Sequence, residues 1–134
     1  MKFMLKSLST LTLSLGVTVA FAATVPPVYL ITHNNTSVQS NAFVNGNIPS
    51  PYPSQPNSTR SVFWNIVKLA CYGHVVEGKC SALIKMATDT AKPITVGTVA
   101  LHLETGDITP KTIIANGYKV VVNGPGEVTL SEVK

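Results

Sequence analysis

Acidic side chains are scarce in this chain: six in 134 residues, namely Glu77, Asp89, Glu104, Asp107, Glu127 and Glu132. Glycoside hydrolysis needs two carboxyl groups facing one another across a cleft, and these six all fall at turn or surface positions. Cysteine is scarcer still. Cys71 and Cys80 are the whole supply, too few for a four-ligand zinc site with one histidine nearby. No Gly-x-Ser-x-Gly elbow is present and no serine stands in a diagnostic setting, so nucleophilic hydrolysis has no motif to rest on. Basic residues do not cluster either. With the first 22 residues set aside, eight Lys and Arg stand against six acids, too weak a balance to recruit nucleic acid or an anionic membrane. Beyond those first residues no apolar run is long enough to cross a bilayer.

What is there begins with an export signal. Lys2 and Lys6 give a positive start, an apolar stretch runs from about Leu5 to Phe21, and Ala20-Phe21-Ala22 places small residues where a signal peptidase reads them. Cleavage is predicted after Ala22. The rival is an uncleaved anchor, but the stretch contains Ser and Thr and falls short of the ~20 strongly apolar residues a span wants. No cysteine follows the leader, so a lipid anchor has no attachment point. The predicted compartment is periplasmic or extracellular. Residues 23–134 then make one domain, large enough to bury a core without metal.

In an oxidising compartment an isolated cysteine pair is most simply a disulfide; two buried free thiols and a metal site are the alternatives. Tyr72-Gly73-His74-Val75-Val76-Glu77-Gly78-Lys79 separates the two cysteines and carries two glycines, as a hairpin connection would. A bridge across that hairpin closes a ten-residue loop, which chain entropy values at about 2–3 kcal/mol.

Along the rest of the domain the pattern is β. Val28–Thr32 reads as a first strand after the extended Pro26-Pro27 arm, with His33–Ser37 as a turn and Ser40–Val44 as a second extended piece. Residues 45–61 hold four of the nine prolines (Pro49, Pro51, Pro53 and Pro56). This excludes helix and predicts a long surface loop with polyproline character. Val62–Cys71, a continuous apolar run with Phe63 and Trp64, reads as a central strand, and Trp64 as core. In Cys80–Thr88, Cys80, Ala82, Ile84 and Met86 share one face. Helix is the alternative for both stretches. Ile94–Glu104 alternates, with Val99, Leu101 and Leu103 opposite Val96, Thr98, Ala100 and His102. Ile108–Ile114 is interrupted by Pro110. Tyr118–Val122 and Glu127–Ser131, the latter with Val128 and Leu130 inward, follow the Asn116-Gly117 and Asn123-Gly124-Pro125-Gly126 turns. The sum is an all-β fold: an antiparallel β-sandwich of about seven or eight short strands, immunoglobulin-like or related, with a hairpin disulfide.

Cys71-Tyr72-Gly73-His74 has the Cys-x-x-His flavour of a blue-copper loop, for which His33 would be the upstream ligand. Met86 lies too far beyond His74, and Cys80 stands ready to pair with Cys71 in a disulfide in an oxidising compartment, so no metal is expected, and no cofactor. Sequons at Asn34, Asn35 and Asn57 are polar loop positions if the source is bacterial, as the shape of the leader suggests. Exposed aromatic side chains are the remaining candidates for recognition: Tyr52 among its prolines, with Tyr72 and His74 on the turn between the cysteines.

At Phe63–Cys71, Cys80–Thr88, Thr105–Pro110 and Asn123–Glu127 the chain resembles small exported proteins of Legionella-type gammaproteobacteria. The resemblance implies a bacterial periplasmic or secreted protein, host-facing as one option, and carries no site residues with it. The leading expectation is a non-enzymatic binding domain for a protein, glycan or envelope component, contacting it through 45–61 and 72–79. A small secreted hydrolase using His102 or His74 with an acid is the alternative from another class. An envelope assembly subunit is the third. Oligomeric state is left open.

Overall fold

The structure is a computed structural model that describes residues 25–134; the predicted signal peptide lies outside the described residues. Eleven strands form two sheets. The first sheet holds β1 (Tyr29–Asn35), β4 (Ser58–Phe63), β9 (Thr112–Ala115), β10 (Tyr118–Gly124) and β11 (Glu127–Glu132), in the order β4-β1-β11-β10-β9. The second holds β2 (Ser40–Val44), β3 (Ile48–Pro49), β6 (Lys79–Met86), β7 (Ile94–His102) and β8 (Ile108–Thr109), in the order β3-β2-β6-β7-β8. The short β5 (Val75–Val76) also pairs with β6. All pairings are antiparallel except β1 with β11, which run parallel. Among the described residues one helix, α1 (Trp64–Ala70), follows β4 directly.

Strand periodicity builds the core as expected in β6, where Cys80, Ala82, Ile84 and Met86 are all buried. In β11 Val128 and Leu130 point the same way, into the core. β7 breaks the strict alternation. Val96 and Val99 are both buried, because the register slips between Ile84–Gly97 and Lys85–Thr95 and leaves Val96 as the extra residue of a bulge. Val96, expected on the face opposite Val99, is therefore buried with it. Beside the bulge, Gly97 lets the sheets approach closely: a Cβ there would lie 3.1 Å from the Ile113 side chain.

The continuous apolar run at 62–71 is not a central strand. β4 ends at Phe63 and is an edge strand, and the chain turns into α1. Trp64, Val67 and Cys71 are buried while Asn65 and Leu69 are exposed, a spacing of three and four that only a helix satisfies. Trp64 is core, as expected, and its indole Nε1 donates to the Leu103 carbonyl at 2.9 Å.

Two further boundaries move. β1 continues through His33, Asn34 and Asn35, which were expected in a turn. Pro110 divides the expected 108–114 strand into two, β8 in one sheet and β9 in the other, around a cis Thr109–Pro110 bond. The Cys71–Cys80 disulfide forms, with Cα atoms 5.9 Å apart. Cys71 caps the C-terminus of α1, so the bridge ties helix to sheet and does not cross a two-stranded hairpin.

Candidate functional site

Inner-face side chains near the β2 edge of the second sheet are small. Ser40, Ala42 and Val44 of β2 register with Met86, Ile84 and Ala82 of β6. Across from them stand Leu30 of β1 and Val62 of β4. Ala42 and Ala82 do not fill the space that Leu30 and Val62 leave, and an apolar cavity of about 130 Å³ remains between the sheets. Val99, Leu101, Ile108, Val128 and Leu130 line it further in, and Ile66, Val67 and Ala70 of α1 form one side.

The proline-rich segment covers the same edge. It was expected as a free surface loop; instead β3 pairs with β2, and Ser54 exchanges backbone hydrogen bonds with Ser40 (2.8 and 2.9 Å). Asn34, fully buried, explains why the segment is held. Its Nδ2 donates to the carbonyls of Val38 (2.9 Å) and Ser54 (3.2 Å), and its Oδ1 accepts from the Thr36 N–H (3.1 Å) and hydroxyl (2.7 Å). Every hydrogen-bonding position of that amide is used, which is the condition for burying it. Its burial also removes Asn34 as a surface sequon.

Between Ser50 and Ser54 the chain bows away from β2, and Pro51 and Tyr52 line the cavity. Asn41 ties this lip to β2, its Nδ2 donating to the Ser50 carbonyl at 2.8 Å; its Oδ1 is buried without a partner. Arg60, from β4, also lines the cavity. Its guanidinium carbon lies 5.4 Å from the Tyr52 ring centroid, and its Nη1 donates to the Pro53 carbonyl at 3.2 Å. The ion pairs among the described residues are His33–Glu127, Lys68–Glu104 and Lys111–Asp107. Arg60 is in none of them, so this half-buried cation has no acidic partner.

Of the three sequence candidates, the structure places Tyr52 at the cavity. Tyr72, 82% exposed, and His74 sit on the turn after α1 and do not line it. Asn41, Arg60 and the α1 side chains were missed. Arg60 had a signal: Ser58, Arg60 and Val62 alternate, and a cation in phase with a core valine is unusual. The strand boundary that reveals the phase was hidden inside the proline-rich stretch.

The hydrolase alternative asks for His102 or His74 beside an acid. Neither His74 nor His102 hydrogen-bonds a carboxylate among the described residues, and neither lines the cavity. His33 does meet an acid: its Nε2 lies 2.6 Å from Glu127 Oε2 and its Nδ1 3.0 Å from the Thr59 hydroxyl. Thr59 stands directly opposite His33 on the outer face of the first sheet. With Cys71 in the disulfide, the copper loop loses its thiolate. Two carboxylates are held below their ordinary range, both at the surface: Asp107 by the hydrogen bond from Lys111, and Glu132 by the backbone N–H and then the hydroxyl of Ser37.

Comparison with known proteins brings the exported character forward. A search of curated proteins returns no match. The crystal structure of the Legionella pneumophila type II secretion system substrate NttC is similar at 56% sequence identity and a TM-score of 0.79, covering 80% of this chain and 99% of that one. The family model described as the type II secretion substrate NttC matches residues 1–133. With this match over nearly its whole length, the chain belongs to the NttC family and is an exported protein.

Proposed function

We propose that the chain is a non-enzymatic binding domain, exported by the type II route its relative is named for, that takes a small apolar molecule into the cavity between its sheets. The observation that carries this is the cavity itself: about 130 Å³ left open in a core where proteins normally leave few voids larger than a water. Apolar cavities of ~150 Å³ stay dry and accept benzene-sized guests. The cavity lies at a sheet edge beneath a segment held by named hydrogen bonds, so a guest has a defined mouth. Signal cleavage after Ala22 and release to the periplasm or beyond belong to the same proposal.

Titration of the exported protein with 1-octanol, followed by methyl NMR, tests it. The Ala42, Ala82 and Ile66 methyl signals shift together. Shifts confined to other parts of the molecule, or none at all, overturn the proposal. Deleting 47–57 is a poor substitute, because the deletion removes Ser54 from the buried Asn34 network.

A second reading concerns the other candidates. Leu69, Tyr72 and Val76 are each more than 70% exposed and lie close in sequence on either side of Cys71. A protein, glycan or envelope partner contacts this end of the molecule in that reading, with His74 beside it. Tyr72→Ser then weakens capture of that partner and leaves octanol uptake unchanged.

A further inference from the structure

Resting on the cavity reading above, we infer that the guest is a single-chain alkyl carboxylate whose head is bound by Arg60 at the mouth. The cavity decides the tail. Its walls are Leu30, Val62, Ala82, Leu101 and their neighbours, and its volume, a little below that of cavities known to admit benzene, encloses about five or six carbons, with the rest of a longer chain in the mouth. A two-chain lipid overfills it. Unbranched aliphatic chains match the space between two sheets better than a sugar or a peptide, which would leave polar groups unpaired there.

Arg60 decides the head. A guanidinium that is only partly exposed and has no acidic partner is an open site for an anion, and its planar fork suits a carboxylate in two-point contact. Tyr52 under the guanidinium and the Pro53 carbonyl on Nη1 hold the group at the lip without neutralising it. Only some of its five N–H donors are used by the Pro53 carbonyl. An alkyl ammonium meets the same cation and is repelled. The lining therefore supplies an apolar slot with a single positive charge at its entrance, which is charge complementarity to an anionic amphiphile of one short chain.

Calorimetric titration of the protein as isolated after export, with sodium octanoate, 1-octanol, octylammonium and acetate, tests this. Octanoate binds at least about tenfold more tightly than 1-octanol, the gain expected of a charge-assisted contact; octylammonium and acetate bind more weakly than either. In Arg60→Gln the preference of octanoate over octanol disappears while octanol affinity holds, and in Arg60→Lys the preference is kept in part. Equal binding of octanoate and octanol by the unaltered protein overturns the carboxylate assignment and leaves the cavity reading standing. Absence of binding by any of the eight-carbon compounds overturns both. The comparison of ligands on the unaltered protein decides the matter even if Arg60→Gln does not fold.

Discussion

Replacing Ala82 by Val adds two carbons at the wall of the cavity, and the sign of its effect on stability depends on whether the space is real. The cavity of about 130 Å³ opens at the sheet edge, so it offers room at the Ala82 wall without being a sealed void. Two carbons, each smaller than the ~30 Å³ share of a water, fit inside that volume. Burying them contributes about 1.6 kcal/mol at ~0.8 per carbon, less the cost of imperfect fit, so a net gain of about 1 kcal/mol is expected. Valine is also at home in a strand such as β6. With a slope of ~2 kcal/mol per molar urea for a domain of this size, the unfolding midpoint of Ala82→Val rises by about 0.5 M. The same substitution weakens binding of octanoate and octanol alike, since it occupies their site. Ala100→Val, in the same sheet but away from the cavity, serves as the control and changes the midpoint little. A midpoint for Ala82→Val lower by about 0.5 M or more, the usual result of overpacking a filled core, would refute the argument that the site is open.

The remaining predictions concern parts of the fold that hold the site. Gly126 adopts φ +65° and a Cβ there would lie 2.8 Å from the Tyr29 carbonyl, so Gly126→Ala costs at least about 2 kcal/mol. Gly73→Ala, at φ +84° with open space around it, costs only the ~1 kcal/mol of the left-handed backbone; equal losses in urea melts would sink the steric account. The Cys71→Ser, Cys80→Ser double variant loses about 2–3 kcal/mol, the value of a ten-residue closure, and a loss below about 1 kcal/mol would show that α1 is held by packing alone. The third concerns pH. Glu132 and Asp107 have folded values below their ordinary 4.5 and 3.8, so the unfolded chain binds more protons as the pH falls. Their small contribution is complete above the ordinary values and is lost as the pH drops through the lower folded ones. Carbon-13 titration of the folded protein should place the Glu132 midpoint below 4.5; a midpoint at or above it removes the Ser37 contact as the cause.

Much of the fold was legible because strand periodicity is local. Alternation in Cys80–Met86 and in Glu127–Ser131 predicts their inner faces correctly, and Asn-Gly and Gly-Pro-Gly mark the turns around β10. The misread elements share a cause: a tertiary neighbour decided what local pattern left open. Phe63–Cys71 has no alternation, and a run of that composition suits a buried strand as well as a helix. What selects the helix is Leu103, whose carbonyl receives the Trp64 indole, and Cys80, which receives Cys71. The bulge at Val96 is likewise invisible without its partner strand, because β6 and β7 each read as regular on their own.

The cavity was hidden for a different reason. A void is a property of facing surfaces, and Ala42 and Ala82 read as unremarkable strand residues until Leu30 and Val62 are set opposite them. Arg60 was counted among scattered basic residues for lack of a strand start at Ser58. Given that start, the phase Ser58, Arg60, Val62 follows at once, and the cation belongs on the face that looks inward. A charged side chain on a core-facing position is stable only beside water or a counter-ion, and the chain supplies no acid for it. Arg60 is only partly exposed at this lip. A carboxylate bound there in the proposed complex satisfies the charge and lets its own alkyl chain fill the cavity. Two features of this edge, small inner side chains and an unpaired cation, are thus both matched by the one ligand proposed.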